Sequence, residues 1–364
     1  MISHDEIDAA ARAGIITPDQ SSELKIFAAE RQRIKVVDAD EPFKFLSGFR
    51  DFFIAVGLLL LAAAFVSAAA FTKSGVVASA LGAVAAWGMA ELVARKDRLS
   101  LSSIIVSLGF VTATGLFAGF ALDSDWLHIW SRRAATFADP ANQSWIDPGL
   151  GAALAAVAAG AGFYARFKVP FVLAGLAGTL ILFVLTVLES VAADWTKDNM
   201  RFILGAAGVI TFLAAMRFDI SDRARITRRA DCGFWLHLIA APLIVHSFVG
   251  AIGSSGLSIE ADEALAVFAL VALITVIALV IDRRSMIVSA LIYTAAATFV
   301  TVSKFESNSD LPIVVTLFAL AALVIGLGLL WPFLRRIIMT PFEGTRLADM
   351  VPPWRPQHIT GTNA

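Results

Sequence analysis

The sequence predicts an all-α polytopic membrane protein. It reads as a bundle of about ten transmembrane helices with both termini cytoplasmic and a small cytoplasmic helical hairpin at the N-terminus. Three observations predict this. The 364 residues are 58% hydrophobic and only 16% charged, whereas a soluble domain is about 45–50% apolar and about 25% charged. The apolar residues gather in runs of about 20, the length that crosses a hydrocarbon core of about 30 Å. The Lys and Arg residues fall mostly in alternate turns between those runs, as cytoplasmic basic loops do. A soluble enzyme is excluded by the first observation, and the net charge of −1 gives no footprint for nucleic acid.

Residues 1–50 form the cytoplasmic hairpin and linker, residues 51–334 the transmembrane bundle, and residues 335–364 a Pro-containing cytoplasmic tail. In the head, Ser3 to Glu6 reads as a capping box, followed by Ile7, Ala10 and Ala11 at helical spacing and a stop at Gly14. Thr17, Pro18 and Gln20 open a second helix as N-cap, first helical residue and N3 partner. Two such short helices cannot hold a core of their own. They are expected to pack on the membrane or on their own copy, or to dock a cytoplasmic protein through residues 1–35.

The spans lie near 52–71, 75–94, 102–122, 148–165, 169–188, 200–216, 233–252, 263–281, 286–303 and 311–333. The fourth is rich in Ala and Gly, and it is needed for the charges to sort. With it, 23 of the 29 Lys and Arg lie on the N-terminal side of the membrane, leaving Lys73, Arg132, Arg133, Lys197, Arg201 and Lys304 opposite. No cleavable signal peptide is expected, since some fifty polar residues precede the first apolar run. The single Cys232 falls at the cytoplasmic lip of the seventh span, where a thiol stays reduced. The outer loop 123–147, with Trp126, His128, Trp130 and Trp145, is expected to hold a short interfacial helix. Trp331, Pro332 and Phe333 followed by Arg335 and Arg336 read as an interfacial anchor and basic stop. The tail beyond carries Pro341, Pro352, Pro353 and Pro356 without helical period and is expected to be extended, with Trp354 at the headgroups.

The run from Asp5 to Gln20 (DEIDAAARAGIITPDQ), followed after a polar spacer by paired spans with Arg-rich inner turns, resembles the N-terminus of a bacterial family. That family comprises predicted multi-pass membrane proteins of unknown function. The resemblance covers about the first 95 residues. It implies a bacterial inner-membrane location and brings no activity, ligand or functional residue.

Charges at bilayer depth are costly and functional by default. Only Glu91, Arg201 and Glu263 fall inside the spans as drawn, all near span ends, and Glu91 can reach Arg95 four residues on. The interior is therefore expected to be free of ionised groups, which weighs against proton-coupled carriers, and no paired acids sit with a histidine at a membrane lip as an intramembrane transferase or hydrolase would require. His237 and His246 flank Pro242 in the seventh span; nine residues turn a helix through about 900°, so the two rings face opposite ways. Each is either neutral and bonded to a neighbouring helix or part of a polar path or proton-sensitive switch. A metal or haem pair has no second histidine to complete it. Thr294, Thr298 and Thr301, with Ala290 and Ala297, make a narrow stripe on the ninth span. Ser103, Ser107 and Thr114 do the same on the third; such residues pack helices closely, bond back to their own backbone, or line a polar cavity.

No P-loop, dinucleotide fingerprint, HExxH, GxSxG or CxxC is present, so no enzyme, cofactor or metal site is expected. Two classes remain. One is a permease-like protein for a small or amphipathic solute, its tentative path marked by His237, His246, Thr294, Thr298 and Thr301. The other is a non-catalytic scaffold or regulator acting through the head. Ten spans could divide five and five into an inverted repeat, although residues 51–190 and 199–334 share only composition.

Overall fold

The computed structural model describes residues 7, 10–17, 19–24, 48–96, 99–122, 148–225, 227–252, 264–303 and 310–353. These residues are almost wholly helical, without strands among them. The long helices are α1 (Phe49–Thr72), α2 (Gly75–Ala90, continued by a π-helical turn Glu91–Lys96), α3 (Ser100–Leu122) and α4 (Pro148–Phe167). Then come α5 (Phe171–Ser221), α6 (Arg228–Ile252), α7 (Ala264–Ile281), α8 (Ile287–Ser303) and α9 (Leu311–Met339). A short α10 (Arg346–Met350) closes the described chain. Among the described residues, nine helices are long and apolar enough to cross a membrane. Their outward faces carry large apolar side chains such as Phe71, Val84, Leu265 and Leu329, suited to lipid rather than water.

The expected fifth and sixth spans occur inside one 51-residue element, α5, interrupted at Ala192 where φ is −148° and ψ 62°. A straight helix would hold Phe171 and Asp219 about 72 Å apart at 1.5 Å per residue. Both instead meet the first turns of α6: the Phe171 and Trp235 rings are 4.8 Å apart and Asp219 is 3.0 Å from His237. The helix therefore doubles back at Ala192, and its two arms run antiparallel. Gly205 and Gly208 on the second arm let α6 approach so closely that added Cβ atoms would fall 2.5 Å from Ser247 Oγ and 2.8 Å from Ile244.

The buried side chains form two separate clusters. One joins Leu58, Val106, Phe163 and Phe167 of α1 to α4 with Val172 at the start of α5. The other joins Val245 and Val249 of α6 to Val267, Ile274, Met286, Tyr293 and Trp331 of α7 to α9, with Phe212 and Met216 of the second arm packed against it. Tyr164 Oη and Cys232 Sγ, 3.9 Å apart, touch across the two groups. Cys232 is a buried thiol.

Local signals in the head hold. Gly14 adopts φ 71° and Ile15 N–H bonds Ala10 O at 3.0 Å, ending the first helical stretch. Thr17 N–H donates to Gln20 Oε1 at 2.9 Å and Gln20 N–H to Thr17 Oγ1 at 3.2 Å, which is the reciprocal capping box. The Ser3–Glu6 box, the outer loop 123–147 and Trp354 lie outside the described residues.

The tail departs from expectation. Residues 340–353 are folded back against the bundle: Arg223 donates to the carbonyls of Val351 and Ala348 at 3.0 Å each, and Arg335 to those of Pro352 (2.7 Å) and Pro353 (3.3 Å). The segment expected to be extended holds a 3-10 turn, Thr340–Phe342, and α10. Proline lacks an N–H but keeps its carbonyl, so Pro352 and Pro353 beyond α10 can still be held by guanidinium donors. Trp331 is likewise no headgroup anchor: it is buried, and its Nε1–H donates to Asp282 Oδ1 at 2.8 Å.

Candidate functional site

The site is built where α5 ends, α6 begins and α7 turns into α8. Asp219 occupies the last turn of α5. The link to α6 is tied by Asp222, whose Oδ2 accepts from Thr227 N–H (2.9 Å) and Oγ1–H (2.6 Å). Gly233 and His237 stand one turn apart on the same face of α6. Gly233 leaves room for the carboxylate: a Cβ there would lie 2.2 Å from Asp219 Oδ1. His237, fully buried, sets Nε2 3.0 Å from Asp219 Oδ2. Asp282 closes α7 in the left-handed region at φ 59°, which aims the next residue, Arg283, back into the bundle. Arg283 Nε–H donates to Asp219 Oδ2 at 3.0 Å, its Nη2 to Asp219 Oδ1, and Nη2 also to Ala230 O at 3.0 Å. Phe212 covers the ring of His237 edge-on at 5.2 Å between centroids.

A second ionic cluster adjoins it. Asp282 accepts from Arg225 at 3.0 Å and from Trp331, and lies 3.4 Å from Arg335, which also donates to Leu279 O at 3.2 Å. Burial alone would raise the Asp282 carboxyl. The charges of Arg225 and Arg335, with the indole N–H, outweigh it and hold the group below its ordinary value. This cluster sits directly under the docked tail, since Arg335 belongs to both.

Ionised groups are therefore buried at the bundle end, just beyond the spans as drawn from the sequence, and Asp219 lies beside His237. Asp219, Arg283 and Arg335 are each buried, at 4%, 2% and 6% exposure. A group near a span end looks like a loop residue in a hydropathy window, and its partner stands 64 residues away. The signal that could have found the site is the i, i+4 pairing of Gly233 with His237, together with acids among the inner basic turns.

Of the tentative path residues, His237 stands in this cluster, and His246, Thr294, Thr298 and Thr301 lie on α6 and α8. His246 Nδ1 pairs with Tyr293 Oη at 2.9 Å, well along α6 from His237, as opposite faces required. Thr294 and Thr301 donate back to Ala290 O and Ala297 O at 2.8 and 2.7 Å, and Thr298 is half-buried. Ser107 and Thr114 also bond their own helix. Glu91 meets Arg95 at 3.1 Å as its spacing implied, and Arg166 of α4 at 2.9 Å, which spacing could not reveal. In the first bundle, the fully buried Asp51 of α1 caps α3, accepting from the N–H groups of Leu101 (3.0 Å) and Ser102 (2.9 Å) and from Ser102 Oγ–H (2.6 Å). Among the described residues no group of three His, Cys, Asp or Glu could hold a metal ion. Comparison with protein-family models, with curated proteins and with solved structures finds no match to this chain.

Proposed function

We propose that the chain is a permease-like protein of a bacterial inner membrane for a small or amphipathic solute, with ten spans in two five-helix bundles and both termini cytoplasmic. The observation that carries this reading is the presence of two separate cores, one for each arm of the α5 hairpin. Two bundles with their own cores, linked through one hairpin and touching through Tyr164–Cys232 and Phe171–Trp235, are able to rock against each other around a site between them. An odd number of spans per half gives the halves opposite orientations, as in alternating-access carriers. The sorted Lys and Arg support the orientation, and the resemblance of the head supports the bacterial membrane.

Exposed Ile15 and Leu24 in the head favour a second reading, a scaffold or regulator that meets a protein partner there. Reconstitution decides between them. Vesicles of phosphatidylethanolamine and phosphatidylglycerol are challenged with amino acids, sugars, carboxylates and amphipathic amines, and swelling is followed by light scattering. A permease admits at least one class faster than empty vesicles do, and a short bis-maleimide joining Tyr164→Cys to Cys232 stops it. Vesicles as tight as empty ones for every class reject transport. Loss of cellular function on deleting residues 1–35, with the spans still inserted, then supports the scaffold.

A further inference from the structure

The two ring nitrogens of His237 are in different situations. Nε2 faces Asp219, while Nδ1 has no hydrogen-bond partner among the described residues. Against an ionised carboxylate Nε2 carries the hydrogen, so the neutral ring keeps its lone pair on Nδ1. A buried lone pair with no donor is an unmade bond, and its chemistry is that of a proton acceptor. Ser285 Oγ, in the 3-10 turn Arg284–Met286 that packs on α6, is buried and unpartnered as well.

The charged groups facing His237 are Asp219 from α5, Arg283 from the α7–α8 turn and Arg225 from the α5–α6 turn. Arg225 is engaged with Asp282. Neither α7 nor α8 carries a charged side chain within its range, and the Tyr293 phenol of α8 serves His246. With Asp219 and Arg283 paired and the ring neutral, the cluster has no net charge. A proton on the ring leaves two cations for one carboxylate in a site without water-exposed surface. Asp219 Oδ2 already serves Arg283 Nε and His237 Nε2, each at 3.0 Å.

We propose that Asp219, His237 and Arg283 form a proton-binding site in which a proton on His237 and the Arg283 guanidinium compete for one carboxylate. The proposal deepens the permease reading and rests on it only for the solute whose movement the proton drives. The proton comes from water at this end of the bundle and adds to the Nδ1 lone pair; no other covalent bond forms or breaks. With the cluster paired as described, the new Nδ1–H meets no acceptor, so the imidazolium persists only once Arg283 leaves Asp219 and water enters. Arg283 also holds Ala230 O at the start of α6. Its release frees the α7–α8 turn from α6, so proton occupancy and opening of this end become one equilibrium.

The test is ¹⁵N-imidazole spectroscopy of the full chain in phosphatidylethanolamine–phosphatidylglycerol vesicles, titrated from about pH 8 to about pH 4 around the ordinary histidine value. The H237Q difference spectrum identifies the ring. The proposal expects an Nε2–H tautomer that turns into imidazolium on acidification. It expects R283Q to raise the ring's proton affinity about 10- to 1,000-fold, the effect of one unit charge at this range. R283K keeps the charge but loses the two-pronged grip, and shifts the affinity less in the same direction; if R283Q does not fold, that smaller shift decides. A ring that stays neutral until the fold is lost overturns the site, and equal affinity in all forms overturns the competition. Titration in vesicles tight to every solute keeps the proton site and removes the permease reading; solute entry with a ring that never titrates does the reverse.

Discussion

Gly233→Ala tests the packing of the buried cluster with a single methyl. The added Cβ would lie 2.2 Å from Asp219 Oδ1, 3.1 Å from its Cγ and 3.2 Å from Arg283 Nη2. Relief requires the carboxylate to retreat by about 1 Å to ordinary contact, stretching the 3.0 Å bonds to His237 and Arg283 toward about 4 Å, beyond hydrogen-bond reach. If Arg283 follows the carboxylate, the cost is overpacking alone, about 1–3 kcal/mol. If the pair breaks, the cost is that of separating buried charges, about 3–5 kcal/mol. Thermal unfolding in detergent is read with an environment-sensitive maleimide, because the chain has one cysteine and Cys232 is buried beside the substitution. The midpoint should fall by roughly 5 °C or more. Gly162→Ala is the reference: its new Cβ meets nothing within 4 Å, and it should hold or slightly raise the midpoint by removing a helix-interior glycine. A Gly233→Ala protein as stable as Gly162→Ala would refute the geometry of the cluster.

Asp51→Ala removes three bonds from the start of α3 and should cost about 1–2 kcal/mol, the range of a strong N-cap, read by the same thermal assay; an unchanged midpoint would refute the inter-helix cap. Asp282 has a depressed folded value, so its contribution is present above the ordinary 3.8 and is lost as pH falls through the folded one. The thermal midpoint of the wild type should therefore drop on acidification below about pH 4, and Asp282→Asn should flatten that dependence; parallel profiles would contradict the pairing with Arg225 and Arg335. Arg335→Gln removes the donors to Pro352 and Pro353, and amide exchange over residues 346–353 should rise at least tenfold, whereas unchanged protection would show that the tail is held by other contacts.

What the sequence made legible was whatever local chemistry or lipid alone decides. Apolar length placed the spans, and the Thr17–Gln20 box and the Gly14 stop follow from residues three or four apart. Glu91 with Arg95 is of the same kind. The α5 reversal was anticipated as two spans because the polar stretch from Glu189 to Arg201 separates two apolar runs, each near the length a bilayer requires. The candidate site was not legible, since Asp219, His237 and Arg283 come from three segments that only the fold brings together. Arg335 looked like a basic stop for an equally physical reason: a positive charge just past a span serves the headgroups unless a carboxylate and free carbonyls face it. The docked tail was missed because its acceptors are backbone carbonyls, which no side-chain pattern records.

The claim that most of the account depends on is that α5 turns back at Ala192, with its bend on one side of the membrane and the ionic cluster and tail on the other. Asp194, whose side chain is fully exposed beside the bend, and Thr345, exposed in the tail, mark the two sides. In a Cys232→Ser background, Asp194→Cys should react with a membrane-impermeant maleimide only in right-side-out vesicles, and Thr345→Cys only in inside-out ones. Labelling of both from the same side would contradict the hairpin and the topology built on it.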